Sequence, residues 1–195
     1  ELLLDECTIG EATVHAPGVE IDILPSNTDL IAAEIALLQR EKSEYKLKQA
    51  IAKVEDKYDY VVIDCPPSLN MLTINAFTAS NGIIIPMQCE YYALEGLTAL
   101  IQTIEKIQAT TNPDLDITGI VRTMFDTRNN LSNEVSIQLL QYFSHKVFKT
   151  IIPRNVKLAE APSFGQAAIN YARSSKGAIS YVSLASEVIR KTSIN

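Results

Sequence analysis

The chain has 195 residues, of which 47% are apolar and 21% charged, a composition that suits one compact α/β domain spanning residues 1–195. No run of eighteen uncharged apolar residues occurs, which argues against an integral membrane protein, and the first residues lack the pattern of a signal peptide. The three cysteines and two histidines show neither disulfide nor metal-ligand spacing. We therefore expect a cytoplasmic protein with reduced thiols.

The formal net charge of -6 is unevenly divided along the chain. Residues 1–97 contain 6 basic and 16 acidic side chains, whereas residues 98–195 contain 11 basic and 7 acidic ones. A basic second half can form a surface for a polyanion such as nucleic acid, although an unevenly charged solvated surface explains the same counts. The charge distribution alone leaves both interpretations open.

Apolar, β-rich runs alternate with stretches of helical periodicity along the chain. The predicted strands are 19–24, 60–63, 82–87, 117–125 and 147–152. The predicted helices are 29–39, 44–55, 69–79, 94–109, 133–143 and 177–191. Strands without alternation suggest a parallel sheet that is covered on both faces. The repeated strand-then-helix order therefore predicts a doubly wound, mainly parallel sheet with helices on both faces.

A long irregular stretch, a tyrosine pair and two cysteines also stand out in the sequence. Residues 154–172 form the longest stretch without predicted structure, and a loop of that length inside a compact domain is usually functional. The pair Tyr91-Tyr92 has the character of a base-stacking platform, but we favour packing at the edge of the sheet. Cys65 and Cys89 are expected to be small buried apolar residues.

The sharpest local pattern is Tyr-Asp-Tyr-Val-Val-Ile-Asp-Cys-Pro-Pro at residues 58–67, in which a short apolar run ends at Asp64. An acid at the carboxyl end of a strand can orient the water shell of a Mg²⁺ ion on nucleotide phosphates, as in a Walker B motif. An aspartate at a strand end is also a common turn former, and Ser68 can cap the helix that follows. Pro66 and Pro67 end the strand and stiffen the turn.

A Walker B motif works together with a glycine-rich loop whose backbone amides hold the phosphates, G-x-x-x-x-G-K-[ST]. The seven glycines of the chain are scattered, and no Gly-Lys dipeptide occurs. The residues alone therefore contain half of a nucleotide site.

Five separated blocks of the sequence resemble ParA/Soj-type partition ATPases, in that family's order. The blocks are Asp-Cys-Pro-Pro-Ser-Leu at 64–69 with Leu-Thr-Ile-Asn-Ala at 72–76, Gln-Cys-Glu-Tyr-Tyr-Ala-Leu-Glu-Gly-Leu at 88–97, Thr-Met-Phe-Asp-Thr-Arg-Asn-Asn-Leu at 123–131, Ile-Pro-Arg-Asn-Val-Lys-Leu at 152–158 and Glu-Ala-Pro-Ser at 160–163. Family members begin with a strand, a deviant Walker A loop, a helix and a second strand, which are not found here. The resemblance therefore implies a P-loop NTPase fold, amino-terminally truncated and without its first strands.

The resemblance also implies a function. Members are ATPases that use ATP and Mg²⁺, form a homodimer, bind DNA without sequence preference at the nucleoid and respond to a ParB-type partner. Asp64 is then the catalytic Walker B residue and holds Mg²⁺ through water. The implied nucleotide-binding residues are Thr123, Met124, Asp126, Pro153, Arg154 and Asn155. The implied DNA-binding residues are Arg128 and Lys157, with Lys146, Lys149 and Arg154 as possible helpers.

Two other functions compete with this interpretation. Because the phosphate-binding loop is absent, the chain can instead be a truncated DNA- or partner-binding module without ATPase activity. A MinD-like membrane ATPase shares the fold, but such proteins carry a basic amphipathic helix after the last core helix. Only five residues, 191–195, follow Arg190 here, which argues against membrane binding.

Overall fold

The computed structural model describes residues 1–193. They divide into two compact units, the first comprising Glu1–Asn81 and Ile104–Leu115 and the second Gly82–Thr103 and Asp116–Asn195. Each unit is described by itself below. The expectation of a single domain over residues 1–195 stays a prediction.

The secondary structure follows the predicted alternation closely. The α-helices are α1 (Ile9–Ala12), α2 (Leu30–Leu37), α3 (Lys46–Ile51), α4 (Met71–Ala79), α5 (Ala93–Thr110), α6 (Asn130–Phe143), α7 (Val156–Glu160), α8 (Ala168–Tyr171) and α9 (Lys176–Thr192). The strands are β1 (Val14–His15), β2 (Asp22–Ile23), β3 (Gly82–Gln88), β4 (Asp116–Phe125) and β5 (Val147–Pro153). Short 3-10 helices occupy Leu2–Leu4, Ser43–Tyr45, Glu55–Lys57 and Ala161–Phe164.

The second unit is built on a parallel sheet with the strand order β3-β4-β5. Gly82 pairs with Asp116 at one end of the β3–β4 ladder and Gln88 with Thr123 at the other. The predicted strands 82–87, 117–125 and 147–152 are thus confirmed within a residue or two. Because the three strands are parallel, their carboxyl ends lie at one edge of the sheet.

Helices cover both faces of this sheet. Val121, Phe148 and Ile152 form a buried cluster against which α7 and α9 pack, through Leu158, Leu184 and Val188. The next residue of β4, Arg122, points to the other face and donates to Ser136 of α6. Successive strand residues alternate between faces, so α6 lies on the opposite side of the sheet from α7 and α9. The predicted α/β fold with helices on both faces is confirmed.

The prediction of a buried strand over 19–24 is only partly right. Asp22 and Ile23 form β2, but this strand pairs antiparallel with β1 in an exposed two-stranded ribbon. Gly18 has φ 81°, a conformation that favours glycine, and it allows the chain to turn back so that Ala16 N–H donates to Ile21 C=O at 3.0 Å. A local turn therefore determines the pairing of this segment.

The predicted strand over 60–63 is wrong. In the described residues this segment has no regular secondary structure and belongs to no sheet, and the side chain of Val62 is 91% exposed. Apolar, β-branched residues favour the extended conformation, but a strand also requires a neighbour for its backbone hydrogen bonds. No strand among residues 1–193 pairs with this segment.

The predicted helices are confirmed, and side-chain caps determine several of their starts. Asn70, rather than Ser68, caps α4 by accepting from Thr73 N–H. Asn129 caps α6, so that helix begins three residues before the predicted start at 133. The stretch 154–172, predicted as irregular, contains three short helical segments: α7, the 3-10 helix Ala161–Phe164 and α8.

Candidate functional site

Asp64 lies in the first unit, directly after the apolar segment 60–63 and before the two prolines. Its side chain is exposed, and within residues 1–193 it makes no hydrogen bond or ion pair. A free carboxylate suits Mg²⁺, which prefers oxygen ligands and retains several of its waters. The chemistry of this residue therefore fits its predicted role as a Mg²⁺-water ligand.

The turn after Asp64 is anchored on its carboxyl side. The Thr73 hydroxyl donates to Ser68 C=O at 2.7 Å, which ties the turn to the first part of α4. Asn70 donates from Nδ2 to a carboxylate oxygen of Glu34 on α2 at 3.1 Å. The segment that carries Asp64 is thus fixed at its carboxyl end.

Residues 1–193 contain no group of three or more His, Cys, Asp or Glu side chains that could hold a metal ion. Mg²⁺ in nucleotide-dependent proteins is commonly held by one or two carboxylates together with the substrate phosphates. A single residue such as Asp64 is consistent with that kind of binding.

The carboxyl ends of β4 and β5 meet in the second unit. Phe125 pairs with Pro153, and the backbone N–H of Arg154 donates to Phe125 C=O at 3.2 Å. The structure therefore brings the predicted nucleotide-binding stretches 123–126 and 153–155 together. In open α/β sheets ligands bind at this edge.

Met124 has a left-handed backbone conformation within this edge, with φ 51°. Two β4 residues, Thr123 and Met124, stand opposite one β5 residue, Ile152, which makes a β-bulge. Non-glycine residues with such φ values cost on the order of 1 kcal/mol or more and persist where the surrounding structure holds them. The Met124 side chain is 44% exposed.

Arg122 is a buried residue of β4 that sequence reasoning did not identify, and it is only 7% exposed. Its Nη1 donates to the Ser136 hydroxyl at 3.0 Å, and its Nη2 donates to the carbonyls of Phe148 and Lys149 at 3.2 and 3.5 Å. Burial lowers the pKa of this guanidinium, while the nearby Glu187 opposes that effect. Its Nε has no partner among the described residues.

Glu187 of α9 binds the same part of β5. Its carboxylate accepts from the backbone N–H groups of Lys149 and Thr150 at 2.8 and 3.0 Å, and from the Thr150 hydroxyl at 2.8 Å. Burial alone would raise the pKa of Glu187, but these hydrogen bonds lower it. Residues 148–150 of β5 stand opposite the single β4 residue Val121 and form a second bulge, which precedes residues 153–155. Arg122 and Glu187 thus hold carbonyls and amides of this bulge.

The predicted DNA-binding residue Arg128 lies in the turn that follows β4. Its Nε and Nη2 donate to the two carboxylate oxygens of Asp126 at 3.0 and 2.8 Å, and its backbone N–H also donates to Asp126. These hydrogen bonds from Arg128 hold the pKa of Asp126 at about 2. The Arg128 side chain is nevertheless 88% exposed, so it remains accessible to a phosphate.

Lys157, the second predicted DNA-binding residue, lies on α7, which follows β5. Its Nζ donates to Glu160 at 2.9 Å and lies 5.7 Å from the centroid of the Tyr171 ring. The hydrogen bond to Glu160 raises the pKa of Lys157. Arg128 and Lys157 therefore both follow the carboxyl ends of adjacent strands.

The possible helpers are not all at this edge. Lys146 donates to Asp116 at 2.6 and 2.8 Å, at the amino ends of β5 and β4. The ten residues of β4 correspond to about 30 Å of strand, so Lys146 lies far from Arg128. Lys149 is in the middle of β5, and Arg154 alone of the three lies at the carboxyl edge.

The expectation that Tyr91 and Tyr92 pack at the sheet edge is wrong. Their side chains are 73% and 74% exposed, and the two rings contact each other edge to face with centroids 5.0 Å apart. They follow β3 in a turn that leads into α5 and therefore protrude from the sheet. The periodicity of the sequence does not predict the exposure of these two rings, because two adjacent residues at the end of a strand fit a packed or an exposed position equally well.

The cysteines are free, as predicted. Cys89 is buried, whereas Cys65 is only partly so, and burial raises the pKa of both thiols.

Among the described residues, none of the helices combines the length and the apolar character that crossing a bilayer requires.

Comparisons with known proteins agree with these features. A family model described as an AAA domain matches residues 1–117. The chain is 46% identical to the sporulation initiation inhibitor protein Soj of Bacillus subtilis, over 96% of this chain and 74% of that protein. It is 42% identical to the chromosome partitioning protein ParA of Caulobacter vibrioides, over 98% of this chain and 72% of that protein.

A solved structure has the same fold. It is the crystal structure of cobyrinic acid a,c-diamide synthase from Mycobacterium smegmatis with a bound ATP analog and magnesium. The match has a TM-score of 0.82 and 36% identity, and it covers 97% of this chain and 70% of that one. By sequence and by fold, the chain belongs to the ParA/Soj family of P-loop partition ATPases.

Proposed function

We propose that this protein is a ParA-type partition ATPase that works as an ATP-switched homodimer. In this proposal the dimer binds DNA without sequence preference and associates with the nucleoid, and a ParB-type partner stimulates hydrolysis. The observation that carries the proposal is the placement of Arg128 and Lys157 directly after the carboxyl ends of adjacent strands, where the residues for the nucleotide also meet. Nucleotide and DNA then act at one edge of the sheet.

The base of the nucleotide is proposed to lie between the ends of β4 and β5. Thr123, Met124 and Asp126 contribute from one strand end. Pro153, Arg154 and Asn155 contribute from the other. The bulge at Met124 and the Arg154-to-Phe125 hydrogen bond support this assignment, because they fix the two strand ends against each other.

Asp64 is proposed as the catalytic Walker B residue. Bound Mg²⁺ would neutralise charge on the phosphates, and Asp64 would orient one of its waters. The free carboxylate supports this role, because no protein cation competes for it within residues 1–193.

The Asp64 assignment is tested by ATP turnover. We expect Asp64→Ala to abolish Mg²⁺-dependent hydrolysis. Asp59→Ala is the matched control, since Asp59 is an exposed acid of the same segment, and it should retain turnover. Full hydrolysis by Asp64→Ala would exclude the Walker B role.

The DNA-binding assignment is tested by charge reversal. The double variant Arg128→Glu with Lys157→Glu should bind duplex DNA more weakly and should reduce the slope of log K against log salt by about 2, roughly one unit for each lost phosphate contact. Lys48→Glu with Lys106→Glu changes the net charge equally at exposed residues of the first unit and serves as the control. Equal losses in the two double variants would remove Arg128 and Lys157 from the DNA surface.

A second candidate function is a DNA- or partner-binding module without ATPase activity. The observation that supports it is the placement of Arg128 and Lys157 after the carboxyl ends of adjacent strands, which does not depend on a nucleotide. Under this alternative Arg128 and Lys157 still bind DNA, but Mg²⁺ and ATP do not alter the affinity.

A further inference from the structure

Both cations of the proposed DNA surface are paired with carboxylates of their own unit. Asp126 accepts two side-chain hydrogen bonds from Arg128, and Glu160 accepts one from Lys157. A phosphate group that contacts either cation must therefore compete with a carboxylate that already holds it. The positive charges of Arg128 and Lys157 are therefore partly neutralised by the carboxylates of Asp126 and Glu160.

From this arrangement we propose that Asp126 and Glu160 are specificity-determining residues of the DNA surface. Their carboxylates hold Arg128 and Lys157 until a dense array of phosphates takes the place of the carboxylates. The inference rests on the proposed DNA-binding function. Duplex DNA presents one charge about every 1.7 Å along its axis, so several phosphates compete with each carboxylate at once. An isolated phosphate or a sparsely charged polymer lacks that advantage.

Glu160 is held in place by Tyr171 as well as by Lys157. The Tyr171 hydroxyl donates to Glu160 Oε2 at 3.1 Å, the same oxygen that accepts from Lys157 Nζ. The Tyr171 ring is in turn stacked on Phe164, with centroids 4.8 Å apart. Tyr171 is therefore a positioning residue, because it keeps the Glu160 carboxylate beside Lys157.

The Lys157–Glu160 pair is weak enough to be displaced by phosphate. The side chains of Lys157 and Glu160 are 51% and 37% exposed, and exposed ion pairs contribute only about 0.2–1 kcal/mol. Lysine precedes glutamate in the helix, which is the less favourable order relative to the helix dipole. The pair thus contributes little to the stability of α7, and replacing its carboxylate should not unfold the protein.

Glu160 offers the cleaner test, since Asp126 also belongs to the proposed nucleotide site. We expect Glu160→Gln to bind duplex DNA about threefold to fivefold more tightly in the presence of Mg²⁺ and ATP, the ratio that corresponds to the upper range for an exposed pair. The control is Asp116→Asn, which removes the same charge from the pair with Lys146 at the opposite end of the strands. We expect the control to change the affinity less than twofold.

A double-mutant cycle shows whether Glu160 acts through Lys157. In a Lys157→Met background, Glu160→Gln should produce no gain beyond that of the control, because the cation that it would release is gone. Tyr171→Phe keeps the charge but removes one hydrogen bond to Glu160, so we expect a smaller gain than that of Glu160→Gln, and none in the Lys157→Met background.

The outcomes separate this inference from the proposed function. If wild type and the Arg128 and Lys157 variants bind DNA as proposed but Glu160→Gln matches Asp116→Asn, the inference is overturned and the proposed function stands. A gain that persists without Lys157 also overturns it, because the effect is then one of net charge. If wild type and every variant fail to bind DNA, the proposed function and the inference fall together.

Discussion

Two apolar segments that look alike in sequence behave differently in the structure. Residues 60–63 and the strand β4 are both rich in β-branched residues and both lead to an aspartate, Asp64 or Asp126. β4 is paired on both sides and covered on both faces, whereas 60–63 belongs to no sheet within the described chain. Composition favours a strand, but neighbours determine whether one forms.

The difference extends to the two carboxylates. Asp126 is held by three hydrogen bonds from Arg128, and the neighbouring strand β5 is held at residues 148–150 by Arg122 and Glu187. Asp64 has no such partner among residues 1–193. A carboxylate that awaits a metal ion needs free oxygens, so its lack of protein contacts is consistent with its proposed role.

The largest expected effect is a contrast in stability between the two segments. Phe148→Ala should destabilise the protein by about 3–5 kcal/mol, because Phe148 is fully buried between the sheet and α9. Val62→Ala should change the free energy of unfolding by no more than about 0.5 kcal/mol, since Val62 is 91% exposed. Urea denaturation measures both values, and similar losses would show that residues 60–63 are packed as tightly as β5.

The next effect concerns the bulge in β5. Glu187→Ala leaves the amides of Lys149 and Thr150 without their acceptor, and we expect a loss of about 1–2 kcal/mol. Glu134→Ala, at an exposed position of α6, is the control and should be nearly neutral. Equal stabilities of the two variants in urea would mean that Glu187 does not hold the bulge.

A smaller effect is expected at Asp64. Asp64→Ala removes a side chain that makes no hydrogen bond or ion pair within residues 1–193. The free energy of unfolding, measured in urea, should therefore change by less than about 0.5 kcal/mol. The expected loss of hydrolysis would then be purely chemical. A marked loss of stability would instead assign Asp64 a structural role and would weaken the contrast with Asp126.

The smallest expected effect is the pH dependence of the Asp126–Arg128 pair. The pKa of Asp126 is lowered from 3.8 to about 2, so the ionised form is favoured in the folded protein. The stabilising contribution of its pair with Arg128 is therefore present above the ordinary pKa and is lost as the pH falls through about 2. Carboxyl carbon chemical shifts followed by NMR should show this midpoint, and Arg128→Ala should return it towards 3.8. An unchanged midpoint in that variant would assign the shift to another cause.

The sequence predicts the three strands of the second unit well, because each is mostly apolar and each finds a neighbour. It fails at 60–63 for the reason given above, and at 19–24 because Gly18 directs a local hairpin. The family resemblance identifies Arg128 and Lys157 as candidates for DNA binding, but it does not reveal the carboxylates that hold them.

Arg122 and Glu187 were beyond the reach of sequence reasoning. Their partners on β5 are 26 or more residues away along the chain, and the bulge between them depends on a register shift that periodicity does not encode. An arginine inside an apolar strand and a glutamate on an amphipathic helix both fit a solvated surface equally well. Only the packed structure shows that they hold the backbone before residues 153–155.

The most direct test of the account is the affinity of the protein for duplex DNA, measured at one salt concentration with Mg²⁺ and ATP, with Mg²⁺ and ADP, and without nucleotide. An ATP-switched DNA-binding protein should bind at least about tenfold more tightly with ATP, which corresponds to a coupling of about 1.4 kcal/mol. Equal affinity in all three conditions would contradict the nucleotide switch and would leave the DNA-binding module as the better description.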